Sequence, residues 1–416
     1  MLKRIPASQV RLGMHLHALD GAWMDHPFWR TRFTLSDADD LAKLRQSAIA
    51  AVWIDVSKGC DVAEPLPAKP RLRRDAAVAE LVLQAAAVPE PARPAPPSTS
   101  FTEELQRATA VCKQGRDQVV ALFGEARLGQ AVNAEGCLPL VNDIAESVFR
   151  NPAALVSLAR LKTQDDYSFM HSVAVCALMV SLGRELGLGM AECRDAGLAG
   201  LLHDLGKALL PLELLNKPGR LTPEEFEIVK THPRRGHAML LEGGSAGAAV
   251  LDVCLHHHER MDGTGYPERL PGERISRVAR MGAVCDVYDA ITSNRPYKLG
   301  WDPAESIARM ASWKGHFDPV VLQAFVKGLG IYPIGSLVRL QSGKLAVVVE
   351  QSPISLGKPV VKLVFSTHSQ MPMSPQRLEL ARSADRIVGR ENPQTWGFKQ
   401  LDALWAGDEV LRKLAA

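Results

Sequence analysis

The sequence predicts a mainly α protein, an all-α helical bundle flanked by a small α/β unit at the N-terminus and a small β-rich tail at the C-terminus. Three observations carry this. Helical apolar periodicity runs from residue 101 to about 330, broken only by short Gly, Pro and Asn punctuation. Period-two and β-branched runs occur at the two ends of the chain. A proline- and alanine-rich stretch separates the first end from the bundle.

Taken in order, residues 1–62 read as the small N-terminal domain. Val10 to Ala18 is a candidate strand, Ser36-Asp37-Ala38-Asp39 opens a short helix with capping-box-like spacing, and Ala51 to Val56 is a buried strand. Trp23, His26, Pro27, Phe28 and Trp29 are best read as the packing of a small core, with a ligand surface as the sharper alternative. Residues 63–100 hold Pro65, Pro67, Pro70, Pro89, Pro91, Pro94, Pro96 and Pro97 and read as a semi-extended linker, interrupted by a short helix near Asp75 to Ala87.

Ser100-Phe101-Thr102-Glu103 is a helix start, with Ser100 as N-cap. Helical segments then follow near 101–127, 136–149, 151–161, 168–186, 190–203, 222–230, 232–242, 246–258, 276–291 and 303–313, within a bundle spanning 101–330. In the tail, residues 331–416, Val338 to Leu340, a Ser342-Gly343-Lys344 turn and Leu345 to Val349 form a hairpin, and Pro359 to Phe365 adds a further β run.

Bulk properties narrow the function. The chain has 416 residues, 46% hydrophobic and 23% charged, with a formal net charge of +3. That balance lacks the basic footprint of a protein that binds nucleic-acid polymers. No stretch is long and apolar enough for a transmembrane helix, and Met1 to Pro6 has charge but no apolar run behind it, so neither membrane insertion nor a signal peptide is expected. The seven cysteines are scattered singly, as reduced thiols of a cytoplasmic protein would be.

The chemistry lies in the histidines. His171, His203, His232, His256, His257 and His258 share the helical region, with Asp204 beside His203 and Asp286 downstream. Imidazole and carboxylate suit first-row divalent ions. A lone buried His is usually a satisfied core residue, which suffices for His237 and His316, and for His256 if it stood alone. It fails for the set, because so many buried polar groups need partners. Taking His171, His203, Asp204, His232, His257, His258 and Asp286 as ligands gives too many for one tetrahedral ion and about enough for two octahedral ones. Two such ions clamp the attacking and leaving oxygens of a phosphoryl displacement. A bridging hydroxide would then be the nucleophile, so no Ser or Cys is needed. Lys207, four residues after His203, would share a helical face with it and meet a phosphate oxygen. Gly-x-Gly-Tyr-Pro at 263–267 is in itself only a turn, and Arg295-Pro296-Tyr297-Lys298 in itself a solvated cluster at a helix end.

Between Tyr167 and Phe325 the sequence resembles the HD-GYP family of metal-dependent phosphohydrolases. The resemblance rests on Tyr167 to Ser172, His203-Asp204-Leu205-Gly206-Lys207, Lys217-Pro218-Gly219 with Leu221-Thr222, and Lys230-Thr231-His232-Pro233 with Gly236. It continues through His257-His258-Glu259-Arg260-Met261-Asp262-Gly263-Thr264-Gly265-Tyr266-Pro267, Asp286-Val287-Tyr288-Asp289-Ala290 and Arg295 to Lys298. It implies an HD-type bundle that hydrolyses cyclic di-GMP to pGpG or GMP with two divalent metals, iron or manganese. His203, Asp204, His232, His257, His258 and Asp286 would hold the metals, joined by His171. His203, Asp204 and Lys207 form the implied catalytic set, with Lys207 near the scissile phosphate. Arg295 and Lys298 would grip the other phosphate, Tyr266 would shape the guanine cleft, and Asp289 would orient the substrate or a neighbouring side chain. Some members carry a carboxylate four residues before the first histidine and hold a third metal; Tyr167 stands there, with Asp165 and Asp166 off that face, which favours two.

The segments Arg11 to Met14, Trp23 to Phe28, Ile54-Asp55 and Lys58-Gly59 also resemble a small domain of unknown function often joined to HD-GYP domains, a regulatory, dimerising or docking unit. Two other readings stand beside the phosphodiesterase: a cyclic di-GMP receptor that signals without turnover, and an enzyme for another cyclic dinucleotide. The Gly265-Tyr266-Pro267 loop is a candidate docking surface for a diguanylate cyclase, and a homodimer is a candidate assembly.

Overall fold

The computed structural model describes residues 2–10, 12–19, 32–47, 49–60, 98–161, 167–217, 219–293, 300–352, 355–398 and 401–415. The aromatic cluster at Trp23 to Trp29, the helix expected near Asp75 to Ala87, and Asp165, Asp166, Arg295 and Lys298 lie outside them, as does the side chain of Tyr167. The chain divides into two compact units, 1–72 and 73–416.

The first unit is a four-stranded antiparallel sheet of β1 (Leu2–Pro6), β2 (His15–Leu19), β3 (Phe33–Thr34) and β4 (Ala51–Asp55), ordered β1-β4-β2-β3, with helix α1 (Ala38–Gln46). The strand expected from Val10 starts later, because Gly13 turns the chain at φ 87° before His15. Asp37 rather than a full capping box starts α1, its carboxylate accepting from the Asp39 N–H at 2.8 Å. Leu16, Leu35, Leu44, Val52 and Ile54 form its core and are fully buried.

The second unit is the bundle. Its helices are α2 (Phe101–Arg127), α3 (Leu138–Arg150), α4 (Pro152–Ala159), α5 (Tyr167–Glu185), α6 (Met190–Leu202), α7 (Leu212–Leu215), α8 (Pro223–Val229), α9 (His232–Gly243), α10 (Ala248–His256), α11 (Arg277–Thr292), α12 (Pro303–Ser312) and α13 (Pro319–Leu329). One device starts four of them: a side-chain oxygen at the N-cap followed by proline at the first turn, as in Asn151-Pro152, Thr222-Pro223, Asp302-Pro303 and Asp318-Pro319. Ser100 caps α2 as its sequence predicts, accepting from the Glu103 N–H. The cap at Asp318 marks α13, a helix absent from the segments singled out in the sequence. Helix α5 is apolar nearly all round and buried, so it forms the axis on which the other helices pack.

The C-terminal residues form a five-stranded antiparallel sheet, ordered β8-β7-β6-β5-β9, from β5 (Leu337–Leu340), β6 (Lys344–Glu350), β7 (Val360–Ser366), β8 (Met371–Glu379) and β9 (Ile387–Arg390). Helices α14 (Asp402–Ala406) and α15 (Asp408–Ala415) follow it. This sheet is no loose tail. Leu337, Val347, Val361 and Trp405 belong to the same continuous hydrophobic core as Leu155, Met179 and Phe325 of the bundle. No helix among the described residues is long and apolar enough to cross a membrane.

Candidate metal centre

Four helix ends, a 3-10 turn and one helix interior bring the implied ligands together. His171 lies one turn into α5, and Asp286 lies within α11. His203 is the C-cap of α6, and Asp204 begins the 3-10 turn of Leu205–Leu209. His232 opens α9, His257 caps the end of α10, and His258 follows it. Gly206 makes this convergence feasible. A Cβ there would stand 1.9 Å from the His232 carbonyl oxygen, so only glycine lets the turn after Asp204 meet the start of α9.

Two groups of donor atoms result, each with all atoms within 4.8 Å of one another: Asp204, His232, His257 and His258, and His171, His203, Asp204 and Asp286. Asp204 belongs to both. Its Oδ1 faces Nε2 of His232 at 3.2 Å and of His257 at 3.7 Å. Its Oδ2 faces Nε2 of His203 at 3.3 Å and of His171 at 3.4 Å. Asp286 Oδ1 lies 3.0 Å from His171 Nε2 on the same side.

The imidazoles are oriented from behind. Nδ1 of His203 lies 2.8 Å from the Gly200 carbonyl, Nδ1 of His232 2.7 Å from that of Val229, and Nδ1 of His257 3.0 Å from that of Val253. Nδ1 of His171 lies 2.6 Å from Asp289 Oδ2. A carbonyl only accepts, so Nδ1 of His203, His232 and His257 carries the proton, and their Nε2 atoms point into the centre.

Electrostatics agree with a cation-binding role. Burial, then the neighbouring imidazoles, hold His257 well below its ordinary pKa, and burial lowers His258 to about 3. Burial would raise the carboxyls of Asp204 and Asp286, yet Lys207 and His203 outweigh it for Asp204, and His171 and His203 for Asp286, so both stay well below the usual range. Burial opposes a charge on His171, but Asp204, Asp286 and Asp289 prevail and lift it to about 10, so a cation bound there would have to displace the Nε2 proton. Nε2 of His203 and Oδ1 of Asp204 are buried without a hydrogen-bond partner. Inward lone pairs with no donor to meet them, on a set of imidazoles and carboxylates, fit divalent metal ions.

The remaining expected residues fall at different depths. Lys207 pairs with Asp204 and keeps 28% of its side chain accessible, at the edge of the centre. It gets there by the 3-10 turn rather than by sharing a helical face with His203, since α6 ends at Leu202. The Tyr266 ring packs on His258 with centroids 4.7 Å apart and 33° between planes. Asp289, 2% exposed, lies against His171. That is the neighbour-orienting place of the two expected for it; its depth removes it from a substrate. His256 stands outside the centre, between Asp252 and Glu268.

Two side chains without a role in the sequence reading, on α8 and just past its end, meet Tyr266. The Phe226 ring, 45% exposed, stands edge-on to Tyr266 at 6.3 Å, and the Lys230 ammonium lies 5.4 Å and 5.9 Å from the two ring centroids. An exposed aromatic on a short, well-capped helix was the available signal.

The protein-family comparison matches residues 2–137 to a domain of unknown function, DUF3391, and residues 141–321 to the HD domain. Over 413 residues the chain is 53% identical to the cyclic di-GMP phosphodiesterase PA4108 of Pseudomonas aeruginosa, covering 98% of this chain and 96% of that protein. The chain belongs to the HD-GYP family of phosphodiesterases. It is also 35% identical over 195 residues to the cyclic di-GMP phosphodiesterase response regulator RpfG of Xanthomonas campestris, covering 46% of this chain and 50% of that one. It is 33% identical over 166 residues to the 3'3'-cGAMP-specific phosphodiesterase 1 of Vibrio cholerae, covering 39% of this chain and 38% of that one. This HD-GYP phosphodiesterase thus carries His/Asp clusters able to bind metal.

Proposed function

We propose that this enzyme hydrolyses cyclic di-GMP to linear pGpG and, after a second cut, GMP, with two divalent ions, iron or manganese. His171, His203, Asp204 and Asp286 would hold one ion, and Asp204, His232, His257 and His258 the other. The observation that carries the reading is the division of the Asp204 carboxylate, with one oxygen facing each histidine pair. When bound, a metal pair polarises the phosphodiester and lowers the pKa of water.

The chain's own residues would do the rest. Lys207 faces solvent beside Asp204, where an ammonium neutralises a phosphate oxygen. Arg295 and Lys298 are proposed for the second phosphate on their chemistry. Tyr266, with Phe226 beside it, offers an aromatic surface on which a guanine would stack. The likeness over nearly the whole chain to a cyclic di-GMP phosphodiesterase supports this substrate. A second reading, hydrolysis of another cyclic dinucleotide, draws support from the 3'3'-cGAMP-specific relative.

The test is competition. Protein purified without oxygen and reconstituted with iron or manganese receives cyclic di-GMP and 3'3'-cGAMP together, and the products are separated by chromatography. Preferential formation of pGpG or GMP supports the first reading, and preferential loss of 3'3'-cGAMP the second. Binding of cyclic di-GMP without product would make the protein a receptor instead.

A further inference from the structure

The Gly265-Tyr266-Pro267 loop is closed by a single buried carboxylate. Glu259, one residue past His258, is only 2% exposed. Its Oε1 accepts the Glu268 N–H at 2.6 Å and its Oε2 the Leu270 N–H at 3.0 Å. The residue between those two donors, Arg269, sits in the left-handed region at φ 55°, which a non-glycine residue adopts at a cost. Both flanking amides point inward, so the carboxylate holds the backbone in this shape.

The loop is folded tightly back on the same strand of chain. The Tyr266 N–H donates to the His258 carbonyl at 3.2 Å, and a Cβ at Gly265 would stand 2.5 Å from the Arg260 nitrogen and the Glu259 Cα. Among the described residues, the polar contacts from outside the loop are longer: Arg234 reaches the Pro267 carbonyl at 3.4 Å and Glu268 at 3.6 Å, and His256 Nε2 lies 3.5 Å from Glu268. The two hydrogen bonds to the buried Glu259 carboxylate, at 2.6 and 3.0 Å, outweigh these longer contacts.

We infer that Glu259 is a positioning residue for substrate recognition, the internal clamp that fixes the 265–270 loop and so holds the Tyr266 ring against His258. The inference rests on the proposed cyclic dinucleotide hydrolysis for its kinetic consequence and on the loop geometry alone for its structural one. The Glu259 carboxylate belongs to neither of the two donor groups described above, so its loss is expected to alter presentation of the aromatic surface and leave the metal centre in place.

Three readouts on the full-length, metal-loaded chain separate these consequences in Glu259→Gln. Metal content and turnover of bis(p-nitrophenyl) phosphate, which has no base to stack, stay within about two-fold of the unaltered protein. The KM for cyclic di-GMP rises by at least about ten-fold, the equivalent of one charge-assisted hydrogen bond. Hydrogen exchange quickens at the Glu268 and Leu270 amides. Adding Arg269→Gly, which removes the left-handed cost, recovers part of the KM. Unchanged exchange and KM, or loss of metal in step with activity, overturns the inference. Exchange in the unaltered protein is a second check that needs no variant: fast exchange at both amides sinks the clamp. Quickened exchange in a protein that never cleaves cyclic di-GMP would sink the proposed function while the clamp itself survived.

Discussion

Asp289 Oδ2 sits 2.6 Å from His171 Nδ1, and both side chains are buried. The pair sets the orientation of the ring: with Nδ1 turned to Asp289, His171 directs Nε2 to the side of the centre where Asp204 and Asp286 lie. Carboxylates placed behind a metal-binding imidazole fix its tautomer and raise its basicity. Asp289→Ala should therefore weaken metal affinity by about 10- to 100-fold while the fold is kept. Metal titration against circular dichroism checks this, and unaltered affinity would remove Asp289 from the account.

The aromatic surface at the mouth makes a separate prediction. Stacking of a base on an aromatic ring is worth about 1–3 kcal/mol, or about 5- to 150-fold in binding. Tyr266→Ala should raise the KM for cyclic di-GMP within that range with little change in metal content. Tyr266→Phe should retain most of the affinity, and Phe226→Ala should fall between. Steady-state kinetics on the three variants decides; a larger loss for Tyr266→Phe than for Phe226→Ala would mean that the hydroxyl, not the ring face, recognises the substrate.

A third prediction concerns stability and pH, far from the metal centre. Glu104 on α2 has no exposed side chain; it accepts from Ser147 at 2.8 Å and from Arg150 at 2.8 and 2.9 Å. Burial alone would raise its carboxyl pKa, but Arg150 and Ser147 overcome this and hold it below its ordinary 4.5. On acidification the unfolded chain then takes up this proton before the folded one. The stabilisation from Glu104 is whole above pH 4.5 and fades as pH falls from there toward the lower folded value. Glu104→Gln should lower the unfolding temperature at neutral pH and narrow the gap to the unaltered protein near pH 4, as thermal melts at several pH values would show. A gap that widened on acidification would contradict the sign.

How much of this was legible in the sequence follows from the range of the forces involved. His203 and Asp204 are neighbours in the chain, and His257 and His258 likewise, so residue type and spacing were enough to single out the candidate ligands that the fold brings within 4.8 Å of one another. The bundle was legible because capping residues and apolar periodicity act locally, as at Ser100 and Thr222-Pro223. What escaped depends on the folded backbone. Phe226 reaches Tyr266 only because α8 comes to lie over a loop forty residues downstream in the chain. Lys207 was expected on a helical face that ends at Leu202. Glu259 stands in plain view beside His258, yet its part is played through the amides of Glu268 and Leu270, which no residue code announces. The C-terminal β runs were read from their pattern, but their shared core with the bundle is a long-range packing relation that a pattern does not carry.

The central claim is that one carboxylate, Asp204, joins two metal sites into a single hydrolytic centre. The most direct measurement is metal content per chain and cyclic di-GMP turnover, taken on the same reconstituted samples of the unaltered protein and of Asp204→Ala. The shared-carboxylate arrangement predicts two ions and product formation in the first, and loss of both ions together with turnover in the second. An Asp204→Ala protein that kept its metal and still cleaved cyclic di-GMP would contradict it.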